Sequence, residues 1–138
     1  LLTGDFMIIA RIESLILGKT VDDAMQRAKA YIEAGVDGIM IHSKGADGKE
    51  ILGFAKQYSS LPNKVPLVAV PTTYNTIGWE QLQEAGFNIV VYANHLLRSA
   101  YPAMSATAKN ILEHRRSKEA EQQLMPVSEL LKLIPSQL

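Results

Sequence analysis

The sequence predicts an α/β fold that forms the second half of a (β/α)8 TIM-type barrel, with a long C-terminal helical extension. Short apolar runs alternate with segments of helical spacing, which is typical of parallel strands joined by helices. Polar side chains follow these runs, at the strand ends where such sheets carry their chemistry. Four units of this kind are present, half the number that closes a barrel.

The four apolar runs are the predicted strands. They span residues 7–11, 38–42, 67–71 and 89–92. Each is short, and each is followed by a polar loop and a segment with apolar residues at helical spacing. We therefore expect four parallel strands with helices between them.

The first helix is predicted to start after Thr20 and to stop at Gly35. Thr20 is a suitable N-cap, and Asp23 places a carboxylate in the first turn, where it interacts favourably with the helix dipole. Glycine is a common residue just after a helix end. The apolar residues that would face the sheet are Ala24, Ala28, Tyr31 and Ile32.

The next two helices are shorter. In the second, Ile51, Leu52, Phe54 and Ala55 are the expected buried face. The third contains Trp79, Leu82 and Ala85 and is closed by Gly86.

The C-terminal part has a different pattern. Residues 96–113 read as a long helix, with Pro102 near its start as either a kink or the real beginning. A charged segment follows, and a last short helix is predicted from Pro126 to about Ile134. We expect residues 1–113 to form half of a barrel domain, and residues 114–138 to pack on that barrel or on a neighbouring subunit. Half a barrel has two unpaired sheet edges, so we expect that the chain does not work alone.

Composition excludes several classes of protein. Fourteen basic residues balance fourteen acidic ones, and no basic stripe of a nucleic-acid-binding protein is visible. Cysteine is absent, which excludes disulfides, thiolate ligands and cysteine nucleophiles. No apolar run is long enough for a membrane span, and no signal peptide opens the chain, so we expect an intracellular, cytoplasmic protein. The chain starts at Leu1 and enters a strand almost at once, so we expect sequence upstream of it.

Arg11 is the first candidate site residue, because it lies at the end of the first strand. A guanidinium there offers a planar set of donors for a carboxylate or a phosphoryl group. The structural alternative is an ion pair with Glu13 that only stabilises the rim.

His42 is the second candidate, at the end of the second strand. Neighbouring strands lie about 4.8 Å apart, which brings His42 close to the strand that carries Arg11. Its expected work is hydrogen bonding to an anionic group or proton transfer. The structural alternative is a histidine whose hydrogen bonds are satisfied within the fold.

Other polar residues have simpler interpretations. Residues 72–75 are expected to cap the next helix, Asn94 to cap the long helix, and His114 to be solvated. Asp37 precedes the second strand and so belongs to the stability face of a barrel. A carboxylate cluster with metal-ligand spacing, a phosphate-binding loop and a dinucleotide-binding glycine motif are all absent from the sequence.

Three segments together carry a family resemblance. They are residues 10–15, 34–43 and 70–74, with Arg-Ile-Glu after one strand and Ile-His-Ser after the next. Through them the chain resembles the phosphoenolpyruvate mutases of the isocitrate lyase superfamily, over essentially its whole length. Within that superfamily, a histidine at the position of His42 is typical of the enzymes that handle phosphonopyruvate.

The resemblance implies an enzyme that interconverts phosphoenolpyruvate and phosphonopyruvate, the entry step to natural phosphonates. It implies a barrel whose last helix is swapped between subunits, a homotetramer that is a dimer of dimers, and Mg²⁺ as cofactor. It matches Arg11 to an arginine that contacts the substrate and His42 to a histidine near the migrating phosphoryl group. The metal ligands and the gating loop of this family are expected upstream of Leu1, so the present chain alone is expected to be inactive.

Two other functions remain open. Phosphonopyruvate hydrolase has the same fold and uses an attacking water, and the residues that best separate it from the mutase lie in the upstream gating loop. The other alternative is a non-catalytic half-barrel or truncated paralogue that assembles with another chain.

Overall fold

The computed structural model describes residues 4–133. Four parallel strands form a single sheet in the order β1-β2-β3-β4, and a helix follows each strand. The predicted α/β class with a parallel sheet is therefore confirmed. The elements are β1 Ile9–Ile12, α1 Val21–Glu33, β2 Gly38–Ile41, α2 Lys49–Tyr58, β3 Leu67–Ala69, α3 Trp79–Glu84, β4 Ile89–Val90, α4 His95–His114, a 3-10 turn Glu121–Gln123 and α5 Val127–Leu130.

Side-chain and backbone partners make some strands shorter than predicted. β1 starts at Ile9 because the N–H of Ile8 donates to the Asp37 carboxylate over 2.7 Å instead of joining the strand ladder. β3 ends at Ala69, since the next N–H, that of Val70, donates to the Tyr74 hydroxyl over 3.1 Å.

One face of the sheet carries the core. Ile12, Ile39, Ile41, Leu67 and Ala69 are all buried against the helices. Burial of this apolar surface is the main favourable contribution to the fold. The helical residues of the same cluster are Ala24, Met25, Ala28, Ile51, Phe54, Ala55, Tyr58 and Leu82.

The register defines the opposite face. Arg11 pairs with Met40, Met40 with Val68, and Val68 with Ile89, which makes one row across all four strands. None of these residues belongs to the core cluster under the helices. Since side chains alternate between the two faces of a sheet, this row points away from the helices.

The ends of α1 follow the sequence prediction. The Thr20 hydroxyl accepts from the N–H of Asp23 over 3.2 Å, and Asp22 joins Asp23 in the acidic first turn. Gly35 follows the helix with φ at +90°, a conformation that glycine adopts readily. Ala24 and Ala28 are fully buried, while Tyr31 and Ile32 pack at the edge of the core.

The second and third helices depart from prediction in detail. Leu52, which was predicted to be buried, is only half-buried, and Tyr58, which was not predicted, is buried in the core. The Tyr58 hydroxyl donates to the Val65 carbonyl over 2.8 Å, which closes the turn into β3. Trp79 begins α3 but remains largely exposed, and Leu82 is the residue of this short helix that is buried.

The chain divides after Ala93 into two compact units. The second unit starts with α4, which begins at His95 and continues through Pro102, so the proline does not mark the start of the helix. The short helix α5 follows, and its predicted end near Ile134 lies outside the described residues. The predicted boundary between residues 113 and 114 stays a prediction.

No helix within residues 4–133 is both long enough and apolar enough to cross a membrane.

Candidate active site

Arg11 lies at the carboxyl end of β1, on the face of the sheet opposite the core cluster. Its guanidinium is about half exposed and forms an ion pair with Glu13, the partner considered from the sequence. Glu13 is two residues further along and therefore on the same side of the chain. Ion pairs with this exposure contribute little to stability, so stabilisation of the fold does not by itself account for an arginine at this position.

His42 follows the last residue of β2, and its backbone continues the parallel ladder. The N–H of His42 donates to the Ile12 carbonyl over 3.2 Å. The residue is two positions after Met40, which is the register partner of Arg11. Alternation along the strand therefore places His42 and Arg11 on the same face of the sheet, at adjacent strand ends.

The electrostatic surroundings of His42 include both residues of the ion pair. Partial burial lowers the pKa of His42 below its ordinary value of 6.5, the positive charge of Arg11 lowers this pKa further, and Glu13 opposes the shift. Since the net direction is downward, the imidazole is mostly neutral at pH 7. Its Nδ1 atom is buried and has no hydrogen-bond partner. This leaves an unused polar atom for a ligand.

A buried serine follows His42 and fixes the loop after β2. The hydroxyl of Ser43 donates to the Glu50 carboxylate and accepts from the N–H of Gly45 over 3.0 Å. The carbonyl of Ser43 accepts from the Thr73 hydroxyl over 2.9 Å, which connects the loops after β2 and β3.

The first βα unit contains a similar pair. Ser14 is buried after β1, and its hydroxyl donates to Asp23 in the first turn of α1 over 2.6 Å. This hydrogen bond, followed by that from Arg27, lowers the pKa of Asp23. Neither pair was predicted from the sequence. Their signal is a serine shortly after a strand and a carboxylate in the first turn of the next helix.

The loop after β3 does not cap α3, contrary to prediction. Gly78 occupies the N-cap of α3, and its N–H donates to the side chain of Gln81 over 3.0 Å. Within residues 72–75, Thr73 instead binds the loop after β2, and Tyr74 is fully buried with its hydroxyl accepting from Val70. These contacts connect the loop after β3 to the loop after β2 and to the end of β3.

The remaining polar candidates lie in the second unit. Asn94 occupies the N-cap of α4, as predicted, although its side chain makes no capping hydrogen bond. His95 is the first residue of that helix. The exposed His114 approaches the carbonyl of Asn110 at 2.9 Å, as expected of a surface residue.

Across the part of the chain that the structure describes, no three or more histidine, aspartate or glutamate side chains form a group that could hold a metal ion. Glu13, the carboxylate next to the candidate residues, is already paired with Arg11. These residues by themselves therefore do not fit a magnesium site.

Clefts on the helical side contain neither candidate residue. The largest of these has a volume of about 450 Å³ and is lined by α1 and the loop after α2, including Lys29, Ile32 and Leu61. The predicted roles of Arg11 and His42 thus rest on the strand ends, and they stay predictions.

Comparison with known proteins identifies the family. The family model described as phosphoenolpyruvate phosphomutase matches residues 2–112. A phosphoenolpyruvate phosphomutase of Tetrahymena pyriformis is 36% identical over 130 residues, covering 94% of this chain and 42% of the relative. A phosphonopyruvate hydrolase of Variovorax sp. (strain Pal2) is 40% identical over 135 residues, covering 94% of this chain and 44% of the relative.

Solved structures agree with this. The phosphoenolpyruvate phosphomutase of Streptomyces platensis subsp. rosaceus superposes with a TM-score of 0.84 at 42% identity, covering 95% of this chain and 45% of that one. A phosphonopyruvate hydrolase in complex with oxalate and Mg²⁺ gives a TM-score of 0.81 at 38% identity, covering 96% and 46%. The chain therefore spans less than half the length of the relatives it matches. By sequence and by fold, this chain belongs to the phosphoenolpyruvate phosphomutase family.

Proposed function

We propose that this chain is part of a complete enzyme that interconverts phosphoenolpyruvate and phosphonopyruvate. In this reaction a P–O bond breaks, a P–C bond forms, and the phosphoryl group moves within one molecule. The observation that carries the proposal is the placement of Arg11 and His42 on one face of the sheet, at the carboxyl ends of neighbouring strands. Membership of the family supports it.

Arg11 has the geometry to hold the anionic substrate. Its guanidinium is about half exposed and is paired with a carboxylate that is also partly exposed. Because such a pair is weak, a substrate carboxylate or phosphoryl group can take the place of Glu13 or share the guanidinium with it. The bidentate donor pattern suits either group.

His42 contributes a neutral imidazole next to that guanidinium. A phosphoryl group in transfer spreads its charge over its oxygens, so positioned donors do most of the work of catalysis. The buried Nδ1 atom, which lacks a partner, is available for hydrogen bonding to the substrate or for proton transfer. An arriving dianion would raise the pKa of His42 and so strengthen this contact.

We further propose that the complete protein closes a (β/α)8 barrel and swaps its last helix within a dimer of dimers. Ile9 and Ile89 are partly exposed on the sheet face opposite the core, and Leu96, Leu97 and Tyr101 are largely exposed on α4. Apolar surface of this extent is normally covered by other parts of a protein or by partner chains.

Mg²⁺ is the proposed cofactor of the complete protein. The support comes from the related phosphonopyruvate hydrolase, which was solved with oxalate and Mg²⁺. When bound, the metal would supply Lewis-acid stabilisation of an enolate. Its ligands are proposed to come from outside the described residues, since none of these form a suitable group.

Phosphonopyruvate hydrolase is the second candidate, because its similarity to this chain equals that of the mutase. The hydrolase of Variovorax is 40% identical to this chain, against 36% for the mutase of Tetrahymena, whereas among the solved structures the mutase is 42% identical and the hydrolase 38%. In that reaction water attacks phosphorus and releases phosphate. A non-catalytic half-barrel is the third candidate, because the chain spans less than half of its relatives.

Phosphorus NMR on the complete protein with phosphonopyruvate and Mg²⁺ distinguishes the three functions. Appearance of phosphoenolpyruvate supports the mutase, and free phosphate supports the hydrolase. An unchanged spectrum over many hours contradicts both enzymes. The mass of the intact natural polypeptide shows whether the present chain is a fragment or the whole of a half-barrel protein.

A further inference from the structure

No hydrogen bond to Nδ1 orients the imidazole of His42, so the position of the ring depends on the backbone that carries it. That ring nitrogen is buried without a hydrogen-bond partner, so no acceptor or donor within the described residues orients the ring through it. A catalytic histidine is usually oriented by a second group that binds one of its nitrogens. The contacts that hold the backbone around His42 therefore have a large influence on where the imidazole lies.

Ser43, the next residue, is held from three sides. Its hydroxyl donates to Glu50 and accepts from Gly45, and its carbonyl accepts from Thr73. Ser43 itself is fully buried, and all three of these hydrogen bonds are at least partly shielded from water. Together with the bond from the His42 N–H to Ile12, they fix the peptide unit that carries the imidazole.

The loop is built around the Ser43–Glu50 pair. A side chain at Gly45 would place its Cβ 3.2 Å from Glu50 Oε2 and 3.4 Å from Ser43 Oγ, which is too close for comfortable packing. A side chain at this position would therefore press on the Glu50 carboxylate. Glu50 also lies in the first turn of α2, so the helix itself presents the carboxylate to the strand end.

We propose that Glu50 is a positioning residue that acts on His42 through Ser43, with Thr73 as a second support from the neighbouring loop. The expected change in turnover rests on the proposed function, whereas the expected change in the placement of the ring does not. Glu50 does not contact the substrate in this account. Its effect on turnover comes from the direction in which the imidazole points.

The test compares Glu50→Ala, Glu50→Gln and Thr73→Val in the complete protein. Alanine removes the acceptor of the Ser43 hydroxyl, whereas glutamine keeps an acceptor oxygen without the charge. Valine removes the Thr73 hydroxyl at nearly constant shape. Glu80→Ala is the matched control, because Glu80 lies in the first turn of α3 but has no strand-end serine as hydrogen-bond partner among the described contacts.

Two readouts are measured, turnover and the NMR titration of His42, whose resonance is identified by its loss in His42→Asn. We expect Glu50→Ala to lower kcat by about 10- to 100-fold, as displacement of a reacting group does, with a smaller change in KM. We expect its His42 pKa to move up towards 6.5 as the ring loosens into solvent. Glu50→Gln should have a kcat and a His42 pKa close to those of wild type. Thr73→Val should shift both quantities in the same direction as Glu50→Ala, but by less.

A wild-type kcat and a wild-type His42 titration in Glu50→Ala, with only a lower Tm, would overturn the proposal. The same holds if Glu80→Ala gives equal effects, or if Glu50→Gln behaves like alanine. If alanine prevents folding, Thr73→Val and Glu50→Gln decide. If the wild-type protein turns over neither substrate, the proposed function fails, and the titrations still show whether Glu50 places the imidazole.

Discussion

The buried hydroxyl of Ser14 donates to the carboxylate of Asp23 over 2.6 Å, and so joins the end of β1 to the start of α1. Ser43 and Glu50 repeat this relationship in the second unit. In both units, the serine comes two residues after the last strand residue, and the carboxylate lies in the first helical turn. The loops that follow β1 and β2, next to Arg11 and His42, are thus fixed by the same kind of hydrogen bond.

Ser14→Ala is expected to lower the stability of the fold near neutral pH and to make that stability less dependent on pH. The Ser14 hydrogen bond is the largest cause of the lowered pKa of Asp23, so its loss moves that pKa back up towards 3.8. A lowered folded-state pKa stabilises the fold above the unfolded value, and this stabilisation is lost as pH falls through the folded-state value. In the complete protein, urea unfolding from pH 6 to pH 2 should therefore show a smaller acid-dependent loss of stability in Ser14→Ala than in wild type. An identical pH dependence in both proteins would contradict this account.

Arg11→Ala is expected to lower turnover by at least about 10²-fold in the complete enzyme, since it removes positioned charge stabilisation from the reacting group. The fold should remain intact, because the ion pair with Glu13 is partly exposed. Arg27→Ala is a matched control, as it removes an ion pair of comparable exposure on α1. Steady-state kinetics and circular dichroism measure both effects. If Arg11→Ala and Arg27→Ala are equally active, Arg11 is only part of a rim ion pair.

His42→Ala is expected to reduce the turnover of the complete enzyme by at least about 10²-fold, the lower range for a proton-transfer or charge-stabilising group. His114→Ala serves as the control, because His114 is an exposed residue on α4. Rates are measured at pH 7.5, where the imidazole is neutral in wild type. A wild-type rate in His42→Ala would remove this residue from the mechanism.

Stability should fall as the pH drops below about 6.5, the unfolded-state pKa of histidine. Burial, with Arg11 as the next cause, lowers the pKa of His42 in the fold, so the unfolded chain binds the proton more readily. The neutral form is the stable one, its full contribution is present above the unfolded pKa, and it is lost as pH falls towards the folded pKa. Urea unfolding of the complete protein at pH 7.5 and pH 5.5 should show a smaller difference in His42→Gln. An equal difference in both proteins means that His42 does not titrate abnormally.

Gly48→Ala is expected to destabilise the fold more than Gly18→Ala. Both glycines have positive φ, +66° and +70°, so alanine costs about 1–2 kcal/mol of backbone strain at each position. At Gly48 the added Cβ would also overlap Ile77 Cδ1, whereas nothing lies within 4 Å at Gly18. The additional loss should be about 1–3 kcal/mol, as for other overpacked sites. Urea unfolding of both variants of the complete protein measures the difference, and equal losses would show that Ile77 moves aside freely.

Local patterns in the sequence determined the elements of this protein. The Thr20 cap, the glycines after α1 and α3, and the alternation of apolar runs with helical segments act between residues close in the chain, so they can be read without the fold. The same is true of the placement of Arg11 and His42 at strand ends. Family resemblance came from those same short segments.

Contacts between distant residues decided the rest. The register that sets Arg11 against Met40, and so His42 on the same face, depends on hydrogen bonds between strands that are far apart in sequence. The bond of Thr73 to Ser43 and that of Ile8 to Asp37 are likewise non-local. The first determines what the loop after β3 contacts, and the second determines where β1 begins. A side chain that has several possible partners in the sequence finds its actual partner only when the tertiary structure brings one within reach.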